Sequence, residues 1–281
     1  SGLEGYTVAS TPDGMTVAVS APEALAYQTG VIRVYTYDAG NDTWTQKGDD
    51  IIPGSWMQPK RGANVRISTN GNIVLVAANL NEGTQGSASR LQRFQYNASN
   101  QWETDPTTDI TDNSGWKMGI AMDASDDCSI VAIGDPKLGS RSGSSYSHRG
   151  TAFIYRWNGS QYQLIGASGT GHGESLSYIN LAADNSWLFG SEVAVSGDGS
   201  HVAFGGAAVG KVYVSKIIGT SVQSVEAKTV NALNGEGTSL ALSQDGSLLA
   251  ISSPYDGGDG ITVYQWDGSN YASYRAYDET G

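Results

Sequence analysis

The sequence predicts an all-β fold, a β-propeller of five blades with four antiparallel strands each. Three observations carry this. A unit of 18 residues recurs five times without gaps, and a further apolar run follows every copy. The composition, with 37 Gly and 15 Tyr against 16% charged residues, suits short strands joined by tight turns, and no long amphipathic helical pattern is present.

The five copies are GYTVASTPDGMTVAVSAP (5–22), GANVRISTNGNIVLVAAN (62–79), GIAMDASDDCSIVAIGDP (119–136), GSEVAVSGDGSHVAFGGA (190–207) and GTSLALSQDGSLLAISSP (237–254). Alternating apolar residues mark the two half-buried strands of a β-hairpin, and Asp-Gly or Asn-Gly supplies the positive φ of its turn. Ser or Thr two positions before that Asp or Asn is placed to hydrogen-bond the turn backbone. Third strands follow as GVIRVYTY (30–37), SRLQRFQY (89–96), GTAFIYRW (150–157), GKVYVSKI (210–217) and GITVYQW (260–266). A polar fourth strand is clearest as TWTQKGDDI (43–51) and QWETDPTTDI (101–110). The leading glycines stand 57, 57, 71 and 47 residues apart, the spacing of propeller blades. One propeller domain is expected over 1–281, with units at about 1–58, 59–115, 116–186, 187–233 and 234–281.

Phe189-Gly190 followed by VAVSGDG, VAFGGA and GKVYV resembles the FG-GAP repeat of integrin α-chain propellers. Gly134-Asp135-Pro136 and Ser20-Ala21-Pro22 stand where that family has Gly-Ala-Pro. The resemblance runs through all five units and implies an extracellular module for adhesion or assembly. It also implies calcium loops of the DxDxDG type, from which this chain departs in every unit. Asp13, Asn70, Asp127, Asp198 and Asp245 are lone turn residues, too few to enclose a calcium ion. They are expected to cap turns, with Asp256 and Asp259, or Asp109 and Asp112, as weaker cation candidates. No metal site and no cofactor is expected. Either five blades close the ring, or further blades lie outside it.

In a blade, the turns between strands 1 and 2 and between 3 and 4 share one face, and here they are short. The opposite face carries DPKLGSRSGSSYSHRG (135–150) and IGASGTGHGESLSYINLAADNSWLFG (165–190). Long loops on a rigid scaffold are where binding residues concentrate. The candidate contacts are therefore Arg141, Tyr146, His148, Arg149, His172 and Tyr178, against the plainer reading that the loops only cover the blade. Trp56, Trp116 and Trp187 precede first strands on the same face, and Trp44, Trp102, Tyr162 and Tyr271 begin fourth strands. Packing between blades explains both sets; exposure of the first set would point to a carbohydrate-binding propeller.

Asn41, Asn97 and Asn158 each open an Asn-x-Ser/Thr sequon in the 3–4 turn of successive units. Asn is a common turn residue, but three sequons on one exposed rim favour glycosylation of a secreted or cell-surface protein. The net charge of −12, without basic clusters, excludes nucleic-acid binding, and no apolar run approaches the length of a membrane span. Partners are expected to be other extracellular proteins or domains of one assembly, and glycans as the alternative. The chain begins without Met or a signal peptide, as a processed product or an excerpt would.

Catalysis is not expected. The three histidines, His148, His172 and His201, are not at metal-ligand spacing, no GxSxG elbow is present, and the SxDG turns do not match a sialidase box. Two carboxylates of a glycosidase need only meet in space, which leaves glycoside processing as the least favoured alternative. Gly205-x4-Gly210-Lys211 has phosphate-loop spacing, yet Val212 stands where Ser or Thr is required, and GKVYV aligns with four other third strands. Cys128, in place of the turn glycine of the other units, is expected to be partly buried and to change the turn type of the third hairpin.

Overall fold

The computed structural model describes residues 7–21, 30–53, 63–78, 89–104, 108–112, 121–135, 139–142, 145–148, 151–165, 190–205, 211–229, 239–252 and 260–277. The backbone separates into two compact units, one of residues 1–120 with 126–128 and 157–162, the other of 121–125, 129–156 and 163–281.

Five four-stranded antiparallel meanders, the blades, follow the five repeats. Blade 1 is β1 (Val8–Ser10), β2 (Thr16–Ala21), β3 (Val31–Asp38) and β4 (Thr43–Gln46). Blade 2 is β5 (Ala63–Ile67), β6 (Ile73–Ala78), β7 (Ser89–Tyr96) and β8 (Trp102–Thr104), with β9 (Ile110–Asp112). In blade 3, β10 (Ala121–Ala124) and β11 (Ile130–Asp135) precede β12 (Gly139–Ser142) and β13 (Ser145–His148), and β14 (Thr151–Trp157) and β15 (Tyr162–Leu164) complete the sheet. Blade 4 is β16 (Glu192–Val195), β17 (His201–Gly205), β18 (Lys211–Ile218) and β19 (Ser221–Thr229). Blade 5 is β20 (Leu240–Leu242), β21 (Leu248–Ser252), β22 (Ile261–Trp266) and β23 (Tyr271–Tyr277).

Two expectations are corrected. The stretch 135–150 is not a plain loop, because β12 and β13 pair as a separate hairpin within it. Its polar Ser, Arg, Tyr and His residues have no apolar alternation to announce strands. The fourth strands of blades 1 and 2 are also broken. After β4 the Lys47 N–H still bonds the Val34 carbonyl, and beyond a turn at Gly48 with φ 73° the chain returns to β3 at the Ile32–Ile51 bridge. In blade 2, β8 and β9 pair β7 separately. Blades 4 and 5 keep a continuous fourth strand by a register shift beside Val214/Ser215 and Val263/Tyr264, one extra residue being absorbed as a bulge.

The sheet of blade 4 buries both faces, which explains a run such as HVAFG whose every residue is buried. The face toward the preceding blade is termed A and that toward the next blade B. Val202 and Phe204 of β17 lie on face A, in a core with Ile130, Ala132 and Ile154 of blade 3. Ala203, Val212 and Val214 lie on face B and pack with Leu249, Ile251 and Tyr271 of blade 5. In the first compact unit, face B of blade 1 (Ala18, Ile32, Val34) meets face A of blade 2 (Val74, Val76, Phe94) in the same way.

Candidate functional site

The repeated turn between strands 1 and 2 is a structural device. Thr11, Ser68, Ser196 and Ser243 donate from Oγ to Asp13, Asn70, Asp198 and Asp245 at 2.5, 2.7, 2.7 and 2.8 Å. The same carboxylate or amide oxygens accept the backbone N–H of Met15, Asn72, Ser200 and Ser247 at 2.8 to 3.0 Å. Each hydroxyl oxygen, and that of Ser125 in blade 3, also accepts the N–H five residues on, at 2.9 to 3.0 Å. These bonds favour the charged carboxylates. Asp13 lies below its ordinary value through Thr11 and Met15. Asp245 is held at about 2 by Ser247 and Ser243. At Asp198 burial pulls upward, but Ser200 and Ser196 outweigh it and the carboxyl titrates low.

Cys128 departs from expectation in two ways. It keeps the left-handed turn, with φ 57° beside 65° to 70° at Gly14, Gly71, Gly199 and Gly246, and it is buried rather than partly so. The hydrogen bonds around the turn hold the backbone in place despite the Cβ. Burial pushes the thiol up to about 12, so the sulfur is an inert filler at neutral pH.

The 3–4 turns are exposed. Asn41 and Asn158 are exposed and Asn97 is half-buried. The Oδ1 atoms of Asn97 and Asn158 accept backbone N–H bonds from Ser99 and Gln101, and from Ser160 and Gln161. Asp267 holds the 3–4 turn of blade 5 identically through Ser269 and Asn270, so these positions have a turn-holding role whether or not Asn carries a modification. Asn41 differs, donating from Nδ2 to Asp38 at 2.6 Å. Beside the turns of blades 1, 2, 3 and 5 two rings meet across the hairpin: Tyr37 with Trp44, Tyr96 with Trp102, Trp157 with Tyr162 and Trp266 with Tyr271, at centroid distances of 5.1 to 5.2 Å. Trp102, Tyr162 and Tyr271 turn inward and hydrogen-bond the carbonyls of Lys47, Cys128 and Gly246. Trp44 stays 48% exposed.

On the opposite face, the β12–β13 hairpin sets Arg141 directly across from Tyr146, and His148 across from Gly139. Arg149, His172, Tyr178, Trp56, Trp116 and Trp187 lie outside the described residues, as do Asp256 and Asp259. Asp109 is engaged by Gln92 at 3.2 Å and Arg90 at 3.9 Å. Among the described residues no group of three or more His, Cys, Asp or Glu side chains converges as metal ligands would.

Two features escape motif reading. A half-open cleft of about 320 Å³ is lined by Arg93, Gln95, Asn97, Glu103, Thr104 and Thr108. The Arg93 guanidinium lies over the Trp157 ring, 4.4 Å from the centroid, and donates to Gln95 at 2.9 Å. Such a lining can hydrogen-bond a polar, uncharged ligand such as a sugar, but its residues share no local pattern. The second feature is Glu192, half-buried in the first strand of blade 4, whose carboxyl burial raises to about 7. Here a signal existed, since the other units carry Thr7, Asn64, Ala121 and Ser239 at that position.

No family model matches the chain, and no curated protein matches it. Among solved structures it is similar to the β-propeller domain of Cps50 (Swd1) from Myceliophteria thermophila, with 10% identity over 100% of this chain and 74% of that one, TM-score 0.60. A functionally unknown protein from Desulfotomaculum acetoxidans is similar at 11% identity over 97% of this chain and 69% of the other, TM-score 0.58. Kuenenia stuttgartiensis hydrazine synthase is similar at 14% over 94% and 71%, TM-score 0.55. At these identities the likeness shows the fold alone, and the fold is a β-propeller, with five blades in this chain.

Proposed function

We propose that the chain is a non-catalytic binding or structural module, extracellular or at the cell surface, that mediates protein–protein adhesion or assembly through the long-connection face of blade 3. One observation carries the reading: the β12–β13 hairpin is an insertion that no other blade has among the described residues. Strand pairing gives it a fixed backbone, and it brings Arg141 and Tyr146, residue types enriched at interfaces, to one register position. Residues 136–150 would be replaced by GAAVG (206–210), the connection that serves blade 4 at the same place, and attachment of source cells to the immobilised protein measured. Attachment is expected to fall at least about tenfold, from the loss of an anchor cluster. Unchanged attachment by a variant with native circular dichroism overturns the reading.

The FG-GAP resemblance and the three sequons support the extracellular setting. Intact mass before and after glycosidase treatment of native material tests it, and an unchanged mass removes glycosylation from the reading. A carbohydrate ligand is the second reading, favoured by the Arg93–Glu103 cleft and by the exposed Trp44. A glycan array separates the two. Saturable binding lost in both Arg93→Ala and Trp44→Ala would favour the sugar, whereas binding that survives either change assigns that residue no part in it.

A further inference from the structure

The three sequons stand in the same turn of successive blades, yet their side chains are held differently. Asn41 is exposed, and its Nδ2 is bound to Asp38 at 2.6 Å. Asn97 and Asn158 are bound through the other atom. Each accepts two backbone N–H groups of its own turn on Oδ1, at 2.9 to 3.0 Å. These bonds fix the amide and leave Nδ2, the atom to which an N-linked sugar is joined, without a hydrogen bond among the described residues. The two then part company. Asn158 is exposed, whereas Asn97 is half-buried and forms part of the wall of the Arg93–Glu103 cleft.

The described walls of that cleft belong to one compact unit, which holds residues 1–120 and 157–162. Its volume of about 320 Å³ lies at the lower end of small-ligand sites, about 300 Å³, and admits a sugar ring. Its polar groups are fixed in advance. The Arg93 guanidinium is held by the Trp157 ring at 4.4 Å and by Gln95 Oε1 at 2.9 Å. Cross-strand pairing sets Glu103 directly opposite Gln95. Neither Gln95 Nε2 nor the Glu103 carboxylate has a hydrogen-bond partner among the described residues. A hydroxyl both donates and accepts, so amide and guanidinium donors beside a carboxylate acceptor suit a sugar on both counts.

We propose that the cleft receives the chain's own glycan: the first sugars of an N-linked chain on Asn97 fold back into it and bond Arg93, Gln95 and Glu103. This docking rests on the glycosylated, extracellular setting proposed above, and it makes the sugar that the cleft takes one carried in cis. A tethered group meets its site at an effective concentration in roughly the mM range. Contacts too weak to capture a free sugar are then enough to dock an attached one.

Endoglycosidase kinetics test the docking. Native material, and the chain secreted by a glycosylating eukaryotic host, would be treated with an enzyme that cuts between the first two sugars, and release followed site by site by peptide mass. At Asn97, release from the folded chain is expected to be at least about tenfold slower than from the heat-unfolded chain, the factor that about 1.4 kcal/mol of docking gives. Asn158, exposed and with the same turn bonds, is expected to change little. Gln95→Ala and Glu103→Ala, at exposed strand positions, are expected to bring Asn97 in the folded chain to its unfolded rate, with circular dichroism unaltered. A glycan on Asn97 that is released equally fast from folded and unfolded chains overturns the docking and leaves the extracellular setting standing. So does slow release that neither variant changes, since the turn itself would then shield the sugar. An unmodified Asn97 in native material overturns the docking together with glycosylation at that turn.

Discussion

At the scale of single residues, the turn glycines separate into those that need only a left-handed backbone and those that also need space. A Cβ added to Gly14, φ 70°, would meet nothing within 4 Å, whereas one added to Gly246, φ 67°, would collide with Nδ1 of His201. Gly14→Ala should therefore cost about 1 kcal/mol, the ordinary penalty of a left-handed residue that is not glycine. Gly246→Ala adds overpacking of a buried seat and should cost about 3 kcal/mol or more. Urea unfolding of the two variants checks the difference, and equal losses would show that blade 5 yields at its seat. Cys128 shows that a side chain is tolerated in this backbone where the structure leaves room for it.

At the scale of the blade, aromatic residues tie the fourth strand to the first hairpin. The buried hydroxyl of Tyr271 donates to the carbonyl of Gly246, and Tyr162 does the same for Cys128. Removing the hydroxyl leaves a buried carbonyl without its donor, so Tyr271→Phe and Tyr162→Phe should each lose about 1 to 2 kcal/mol in chemical denaturation; losses near zero would mean that the rings alone hold the turn. Blade 4 also carries two titrating groups of opposite sign. His201 is buried, its Nδ1 bonded to Ser200 Oγ at 2.8 Å and its Nε2 without a hydrogen-bond partner among the described residues. Burial, with Lys216 across the strand, lowers its pKa against the pull of Asp198 and Asp245. The unfolded chain then binds the proton first, and stability is lost as pH falls from about 6.5 toward the lowered value. Glu192, raised to about 7 by burial, takes up its proton in the folded state first, and stability is lost as pH rises from the ordinary carboxylate range through 7. His201→Phe should leave a stability that falls between pH 5 and 7, and Glu192→Gln one that rises. The latter should gain roughly 1 kcal/mol at pH 8, the shift being discounted for solvent contact at a partly exposed carboxyl. Denaturation midpoints at pH 5, 6, 7 and 8 decide, and slopes of the same sign in both variants would refute this pairing.

At the scale of the whole molecule, the blades were legible because their second strands carry small or apolar residues on both faces: VAVSA, IVLVAA and VAFG recur in register. The capping turns were legible for the same reason, as Ser, Asp and Gly each have a separate bond or dihedral to supply. Less local features were not. The break in the fourth strands of blades 1 and 2 depends on Gly48 and on how Ile51 and Ile110 return to their partner strands. The Arg93 cleft joins side chains from β7, β8 and Thr108, which only the fold brings together. Of the expected binding residues, Arg141, Tyr146 and His148 share one hairpin, a grouping visible in sequence only as proximity. The thin spread of charge was also plain, and it leads to a property of the entire chain. With 16 basic and 28 acidic residues, folding draws like charges together, and the resulting repulsion opposes the compact state. Salt weakens that repulsion, since the screening length falls from about 30 Å at 0.01 M to about 10 Å at 0.1 M. Raising sodium chloride from 10 to 200 mM at pH 7.5 should therefore stabilise the fold by roughly 1 kcal/mol, a rise of about 2 to 4 °C in Tm for a chain of this size. A calorimetric Tm that falls instead would mean that ion pairs such as Arg33–Asp50, at 3.0 Å, outweigh the net repulsion.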